Sequence, residues 1–286
     1  MILIGSLNGG PSAYSQQRQA FIRQLFAEKD YFRAIGALKE EQFYSQDTAV
    51  RNTCAYMIGY AYLQSGKYQN ARDYFSMLTD DETHSLPKLR RYALIGTALA
   101  YWGDKLSNYS MMELTKIPNT QDSGGIARFY KAVLTAEKDL TLSAVLIENL
   151  RKESISSTIA EKSEKIRQLL KKHEDIPTKS PLAAGVLSAI IPGAGQVYTQ
   201  HYFDGIQALT FVSAFGYATY AAYQYNKLAG NSHAGTIALG ILTGIFHTSN
   251  ILGAVKTADY RNQKATDDFM GAIRAQAFSI DLSVEW

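Results

Sequence analysis

The chain has 286 residues, of which 46% are hydrophobic and 19% are charged, with a formal net charge of +3. This charge content is below the roughly 25% that is usual in soluble proteins, and the small, dispersed net charge excludes an electrostatic footprint for nucleic acid. The length accommodates about two domains. Between Lys179 and Lys256 only Asp204 and Lys227 are charged. We therefore expect a polar N-terminal part and an apolar part near the C-terminus.

The first segment, 1–17, opens with the apolar run MILIG. This run is shorter than the apolar core of a signal peptide, and no basic residue precedes it. Two interpretations stay open: an unstructured start, or the remainder of a secretory signal whose beginning is missing.

Residues 18–176 predict a helical-repeat domain. Its clearest copy, IGYAYLQSGKYQNARDYF, carries Gly59, Tyr62, Gly66, Ala71 and Phe75. This pattern places a small residue and an aromatic on one helix, a glycine in the turn, and an alanine and a phenylalanine on a second helix. The stretch resembles a tetratricopeptide repeat, in which the small residues let paired helices approach.

Weaker copies lie 37 residues before and after this one. In the later copy Asn108 takes the place of the packing alanine, and a fourth copy repeats Ala27–Asp30 as Ala136–Asp139. Such hairpins bury their apolar faces only by stacking. The resemblance implies a solenoid whose concave face binds a protein partner, and a spacer without a ligand is the alternative. Four tyrosines are candidates to line that face, and the alternative is that they pack in the core, as aromatic residues at helical spacing more often do: Tyr56, Tyr60, Tyr74 and Tyr101.

A further helix is predicted over 154–175, and it ends in Lys171, Lys172 and His173. We interpret it as a cap on the solenoid, and a basic arm that touches anionic lipid headgroups is the second interpretation. Residues 177–181 then form a linker that begins and ends with proline.

Residues 182–256 predict a membrane domain. The segments 205–225 and 234–255 lack charges, and each has the length that a helix needs to cross hydrocarbon. We predict a transmembrane hairpin, with a buried pair of soluble helices as the alternative. Small residues at helical spacing are predicted to join the two helices: Ala214, Ala218, Ala222, Gly240 and Gly244.

The segment 182–198 has an apolar run of only ten residues before Pro192 and Gly193. Ten residues of helix extend about 15 Å, half the thickness of the hydrocarbon. We predict a half-inserted or interfacial helix that folds against the hairpin, and the alternative is that it spans together with the residues that follow.

A specific motif surrounds this break, and its members are Pro192, Gly193, Gly195, Gln196, Tyr198 and Gly205. It resembles a family of bacterial envelope proteins in which tetratricopeptide-like repeats precede a small membrane domain with a Pro-Gly-x-Gly-Gln-x-Tyr turn. That domain is distantly similar to two-transmembrane-helix domains. The family is largely uncharacterised, and its members usually begin with a signal peptide. The resemblance implies an envelope location.

Two observations disagree about the side of the membrane on which the repeats lie. Basic residues flank the hairpin at 162–179 and 256–274, whereas its tip has only Lys227. The positive-inside rule places these flanks in the cytoplasm. The resemblance and the apolar first residues favour the periplasm, so we expect an inner-membrane protein with periplasmic repeats.

The tail, 257–286, ends in an alternation of apolar and polar residues over 278–286. This is the period of a strand, and a single strand needs another to pair with. We predict a short C-terminal strand that could add to the sheet edge of a partner, and a loosely packed tail is the alternative.

We predict no enzyme, because the sequence holds no catalytic, cofactor or metal-binding constellation. The single cysteine, Cys54, lies among apolar residues and is expected to pack in a core. His247 and Asn250 are intramembrane polar candidates. The leading hypothesis is a membrane-anchored scaffold that contacts a protein partner and lipid, with oligomerisation left open. The alternative is a transport or lipid-handling component that acts through 192–196 and His247.

Overall fold

The computed structural model describes residues 13–79, 87–118, 123–153, 157–173, 176 and 178–284. Every element in this part of the chain is a helix, so the described chain is all-α, as was predicted for residues 18–256 but not for the C-terminal tail. The helices are α1 Ala13–Ala27, α2 Tyr31–Tyr44, α3 Thr48–Gln64, α4 Tyr68–Thr79, α5 Pro87–Gly103, α6 Ser107–Thr115, α7 Ser123–Thr135, α8 Leu140–Lys152, α9 Ser157–His173, α10 Pro181–Ile190, α11 Ala194–Tyr198, α12 Tyr202–Ala229 and α13 Ala234–Phe278.

Several helices begin at an aspartate that satisfies a free backbone N–H group. Asp30 accepts a hydrogen bond from the Arg33 amide at 3.1 Å, and Asp139 accepts one from the Leu142 amide at 2.8 Å. Such caps contribute about 1 kcal/mol each. The two copies of the Ala-Glu-Lys-Asp tetrapeptide therefore form the same local structure, a turn whose aspartate caps the next helix.

The chain divides into two compact units. The first, here called the array unit, comprises Met1–Leu170 and Ile273–Trp286. The second, here called the hairpin unit, comprises Lys171–Ala272. The first twelve residues of the predicted segment 1–17 lie outside the described residues, as does Pro177 of the predicted linker.

In the array unit, helices α1 to α8 each pack against their neighbours in the chain. Helices α3, α5 and α7 also contact one another in that order and form a continuous row. Their central residues are buried, as in the run from Cys54 to Ala61. Helix α9 buries Ile159 and Ile166, so it turns an apolar face inward.

In the hairpin unit the two long helices expose most of their surface. Of the 28 residues of α12, only Gly205 is buried. Among the described residues one helix, Ala234–Phe278, is long and apolar enough to cross a membrane, and only 11% of its apolar stretch is buried within the protein. Core helices of soluble proteins bury such surface.

The predicted C-terminal strand is wrong for the residues that the structure describes. Helix α13 continues to Phe278, residues 279 and 280 form a turn and a bend, and residues 281–284 have no regular secondary structure. The charged stretch 256–274 contains no proline and is rich in good helix formers, so nothing ends the helix at its predicted limit of 255. The final residues, 285 and 286, lie outside the described chain.

Candidate functional site

The residues predicted to pack one repeat against the next meet around Phe75, whose ring is fully buried on α4. A Cβ atom on Gly59 of α3 would lie 2.8 Å from this ring, and one on Gly96 of α5 would lie 2.5 Å from it. Both distances are too short for real contacts. Ala71, one turn earlier on α4, is also fully buried. The glycines therefore allow α3 and α5 to hold Phe75 between them.

The turn between α3 and α4 requires a left-handed residue. Gly66 supplies it with φ of +73°, a region that glycine enters without steric cost. The ring of Tyr62, just before this turn, lies 5.7 Å from the ring of Tyr74. Tyr62 and Gly66 thus fix the end of the hairpin.

The predicted register of the third copy is wrong. Helix α6 begins at Ser107, two residues later than a constant period of 37 requires. The turn before it places Lys105 at φ +63°, where the preceding copy has Gly66. Consequently Ser110, which is 1% exposed, occupies the position that the sequence alignment gave to Asn108.

The row formed by α3, α5 and α7 carries a groove lined by four aromatic residues. Tyr56 and Tyr60 belong to α3, Trp102 to α5 and Tyr130 to α7. Three are completely buried, and Tyr60 is 7% exposed. Buried hydroxyl and indole groups need hydrogen-bond partners within the protein. We call these four residues and the space between them the tyrosine groove.

The chain's own C-terminal segment occupies the tyrosine groove. The Tyr130 hydroxyl donates to the Ala277 carbonyl oxygen at 3.2 Å. The Tyr56 hydroxyl donates to the Leu282 carbonyl oxygen at 2.6 Å. Both acceptors are backbone atoms, so these two tyrosines bind the backbone of the chain and not its side chains.

Two side-chain contacts accompany these backbone contacts. The Tyr60 hydroxyl donates to Asp281 Oδ1 at 3.1 Å. The Lys162 ammonium group donates to Ser279 Oγ at 2.6 Å. Helices α3 and α9 therefore hold the segment at two separate points.

The alternation that predicted a strand is an alternation of burial. Ile280 is 4% exposed and Leu282 is 1% exposed. The residues on either side of them face solvent: Ser279, Asp281 and Ser283. The strand period in the sequence therefore corresponds to alternating burial against helices, in a segment that begins with a turn after α13.

The end of α13 enters the groove through an aromatic and charged contact. The Phe278 ring lies 5.4 Å from the Trp102 ring. Trp102 Nε1 donates to Glu137 Oε1 at 2.6 Å, and Arg274 pairs with the same oxygen at 3.1 Å. The Arg274 guanidinium also lies 5.4 Å from the centre of the Trp102 ring. One carboxylate therefore joins the groove to the last turns of α13.

The groove keeps its tyrosines protonated. Burial raises the pKa of Tyr56 and Tyr130 well above the ordinary tyrosine value. Burial, and secondly the nearby Asp281 carboxylate, raises the pKa of Tyr60. All three hydroxyls consequently remain donors at neutral pH.

A cavity of about 380 Å³ adjoins the docked segment near its last described residues. Its walls include Ile22, Phe26 and Met57, and the segment itself contributes Val284 beside Tyr60. The cavity therefore begins where the described part of the segment ends.

In the hairpin unit, the segment 180–198 doubles back on itself. The Ser180 amide donates to the Tyr198 hydroxyl at 3.3 Å, and the Lys179 ammonium group lies 4.4 Å from the centre of the Tyr198 ring. The reversal occurs at Gly193, whose φ is +86°. The two ends of the segment thus lie side by side.

The motif glycines allow close backbone contacts at this reversal. A Cβ atom on Gly193 would collide with the Gly205 carbonyl oxygen, and one on Gly195 would collide with the Ala184 carbonyl oxygen. Pro192 follows an extended residue, as the residue before a proline prefers. Only glycine fits at positions 193 and 195, which explains why the motif contains glycine there.

A closed set of hydrogen bonds fills the turn, and we call it the turn network. Gln196 Nε2 donates to the Asn250 carbonyl oxygen at 3.0 Å and to its Oδ1 at 3.1 Å. Ser188 Oγ donates to Gln196 Oε1 at 2.8 Å. Asn250 also accepts from the Gly193 amide at 3.1 Å, and Ser188 Oγ accepts from the Gly195 amide at 2.9 Å. Both side-chain polar atoms of Gln196 therefore have partners.

Helices α12 and α13 contact each other through aromatic and threonine side chains. The rings of Phe215 and Phe246 stack 4.6 Å apart, and the hydroxyls of Thr219 and Thr243 lie 3.0 Å apart. A Cβ atom on Gly240 would lie 3.7 Å from Thr219 Cγ2. Of the predicted glycines, Gly240 therefore lies at this contact.

The other predicted packing residues have more open surroundings. Ala218 and Ala222 are half-buried, Ala214 is exposed, and a Cβ atom on Gly244 would meet nothing within 4 Å. His247 is half-buried, and its Nδ1 has no hydrogen-bond partner among the described residues. The structure brings Asn250 together with Gln196 and not with His247.

For the tyrosine groove, sequence reasoning identified Tyr56 and Tyr60 and missed Trp102 and Tyr130. For the turn network, it missed Ser188. Tyr74 and Tyr101 pack instead against Tyr62 and Tyr109 respectively. The sequence signal for the groove was the alternating tail, because its apolar side chains need an apolar surface elsewhere in the protein to cover them.

The described residues contain no group of three or more His, Cys, Asp or Glu side chains that could hold a metal ion. Burial raises the pKa of the Cys54 thiol to about 12, so this thiol remains protonated and unreactive at neutral pH. The chemistry that both sites support is recognition through hydrogen bonds and apolar contact.

Comparisons with known proteins add no relative. A scan against protein-family models, a search of curated proteins and a search of solved structures each find no match.

Proposed function

We propose that the chain is a membrane-anchored protein-interaction scaffold of the bacterial cell envelope. In this proposal the hairpin unit crosses the inner membrane with α12 and α13, and the tetratricopeptide-like repeats recruit a protein partner from the periplasmic side. The observation that carries the proposal is the tyrosine groove, in which Tyr56 donates to a backbone carbonyl oxygen of the C-terminal segment and the side chains of Ile280 and Leu282 are buried.

Exposed aromatic residues at both ends of α12 support the membrane crossing, and two others, Phe211 and Tyr217, lie between them at 54% and 73% exposed. Phe203 is 72% exposed near one end, and Tyr220 and Tyr225 are 60% and 66% exposed near the other. About 20 residues separate these groups, or roughly 30 Å of helix, which matches the hydrocarbon thickness. Aromatic side chains favour both membrane interfaces. We therefore propose that α12 spans as well, although by length and composition only α13, among the described helices, is apolar enough to cross a membrane.

The doubled-back segment supports a half-inserted helix at 182–198. Its ends lie together beside Lys179, and its reversal lies beside Asn250 of α13. In hydrocarbon, irregular backbone is tolerated only when protein covers it, and the turn network provides that cover. This geometry favours entry and exit on one side of the bilayer.

The turn network also favours a scaffold over transport. Both polar atoms of the Gln196 side chain bond to neighbouring residues, so that side chain keeps no free group to line a path. The array unit, by contrast, has a surface that already binds a segment of the chain without regular secondary structure.

Cysteine accessibility tests the crossing and its direction. In a Cys54→Ser background, we would place one cysteine at Asn231, at the exposed hairpin tip, and another at Lys264, which is exposed on α13. An impermeant maleimide applied to intact cells should label the Lys264→Cys variant, and label the Asn231→Cys variant only after permeabilisation. Labelling of both from one side would contradict the crossing. The reversed pattern would place the repeats in the cytoplasm.

Partner recruitment is tested with matched groove variants. A protein captured by the purified full chain should be lost with Tyr56→Phe combined with Tyr60→Phe. It should be retained with Tyr109→Phe, because Tyr109 is 54% exposed on α6 and lies outside the groove. Equal capture by all variants would contradict recognition through the groove.

A further inference from the structure

We infer that the tyrosine groove is a receptor for an extended partner segment that carries apolar residues at every second position. The same inference makes residues 279–284 an intramolecular ligand that this partner replaces. It rests on the proposed function, because it names the class of partner that the groove would recruit.

The first argument is the type of contact. Tyr56 donates to the Leu282 carbonyl oxygen within the segment, and Tyr130 donates to the Ala277 carbonyl oxygen in the last turn of α13, just before it. Every peptide offers such acceptors, so these bonds do not require the sequence of the tail. Extended peptides are commonly bound in this way, with affinity from the main chain and specificity from alternate side chains.

The second argument is the specificity that the alternate side chains supply. Ile280 and Leu282 are buried in the groove, two residues apart. Between them Asp281 accepts a hydrogen bond from Tyr60. A matching partner segment would therefore have an aliphatic, an acidic and an aliphatic residue at the positions that Ile280, Asp281 and Leu282 occupy in the tail.

The third argument is the fit at the end of the segment. Val284 is half-buried and lies at the wall of the 380 Å³ cavity. Ile22, Phe26 and Met57 form an apolar part of its lining. A partner with a larger apolar side chain in place of Val284 would make more contact with these three residues and gain affinity.

Displacement must overcome a tethered competitor. A segment of the same chain is present at a millimolar effective concentration. A free peptide of equal intrinsic affinity therefore binds the intact chain weakly, and a partner needs either a better fit in the cavity or a second point of attachment.

The test uses the full-length chain in detergent and a fluorescent peptide with the sequence of residues 277–284. In the variant Ile280→Ser with Leu282→Ser, the tail loses both buried side chains. We expect this variant to bind the peptide at least roughly 10-fold more tightly than the unaltered chain, because the tethered competitor is weakened. Ser283→Ala, at an exposed position of the tail, should behave like the unaltered chain.

Two further peptides test the specificity. A peptide with Val284→Phe should bind the double variant more tightly than the original peptide, and one with Asp281→Lys should bind less tightly. The proposal is overturned if the double variant binds no peptide, or if it loses cooperative thermal unfolding, since the tail would then be an ordinary part of the core. Because this assay needs neither a bilayer nor a natural partner, it can succeed when the labelling or capture experiment fails, and the reverse.

Discussion

The tyrosine groove and the turn network are both buried and both polar, but they obtain their hydrogen-bond partners differently. In the groove, Tyr130 and Tyr56 bond to residues 147 and 226 positions further along the chain. In the turn network, Gln196 bonds to Ser188 only eight positions away and to Asn250. The groove is closed by a terminal segment without regular secondary structure, whereas the network is closed by α13, since four of its hydrogen bonds join the segment 188–196 to Asn250.

This difference indicates two roles for buried polar groups. The turn network has all its partners on helices that pack around it, so loss of any one leaves a buried group unpaired. The groove has its partners on a segment with solvent on one face, so another segment can supply equivalent acceptors. We therefore expect substitutions in the network to act on folding, and substitutions in the groove to act on binding.

The largest effect should come from the close backbone contact in the turn network. Gly195→Ala would place a Cβ atom against the Ala184 carbonyl oxygen and 2.7 Å from Ser188 Oγ. We expect a loss of about 3 kcal/mol or more, the upper range for overpacking, measured by unfolding in detergent. Gly216→Ala is the control, because a Cβ atom there meets nothing within 4 Å. Similar stabilities for the two variants would contradict the role assigned to Gly195.

The next effect should come from the packing of Phe75 in the array unit. Gly59→Ala crowds this ring and should cost about 2 kcal/mol. Gly36→Ala on α2 meets nothing within 4 Å and should be neutral or stabilising. Adding Phe75→Leu to Gly59→Ala should recover part of the loss in a double-mutant cycle. Additive losses would refute direct contact between the two positions.

A smaller effect is expected in the tail. Leu282 and Leu114 are equally buried, at 1% and 0% exposed. Leu114→Ala on α6 should cost about 3 kcal/mol, as is usual for core leucines. Leu282→Ala should cost only about 1 kcal/mol, because local release of the tail limits the loss. Chemical denaturation of both variants measures the difference, and equal losses would make the tail a fixed part of the core.

The smallest effect is a pH dependence. Since the folded pKa of Tyr60 is raised above its ordinary value of 10.0, its contribution to stability is complete below pH 10 and is lost as the pH rises above it. Unfolding free energies measured from pH 8 to pH 11 should fall less steeply for Tyr60→Phe than for the unaltered chain. Parallel curves would show that Tyr60 does not couple to folding.

Local patterns predicted much of the fold. The all-α class and the helical character of 205–225 and 234–255 follow from the absence of strand periods and of internal proline. The positions of Gly59, Ala71 and Phe75 follow from helical spacing, because their contacts lie within one or two hairpins. The third copy failed because α5 ends at Gly103, 39 residues after α3 ends at Gln64, so the period that was assumed constant had already changed before the turn that precedes Ser107.

Long-range contacts were beyond sequence reasoning. The alternation at 278–286 has the same period whether the chain pairs with a strand or lies across helices, so periodicity could not separate these cases. The connection between Ser188, Gln196 and Asn250 joins three segments whose approach depends on the reversal at Gly193. No local signal specifies which distant residues meet there.

The central claim is that residues 279–284 lie in the tyrosine groove and can be replaced there. A distance measurement between spin labels tests it directly. Gln64 and Ser283 both line the cavity beside the groove, so cysteines at these positions, in the Cys54→Ser background, report whether the tail is docked. We predict one short, narrow distance distribution for the chain alone, and a shift to longer distances when the Val284→Phe peptide is added at saturation. A short distance that the peptide leaves unchanged would contradict replacement, and a broad distribution without peptide would contradict docking.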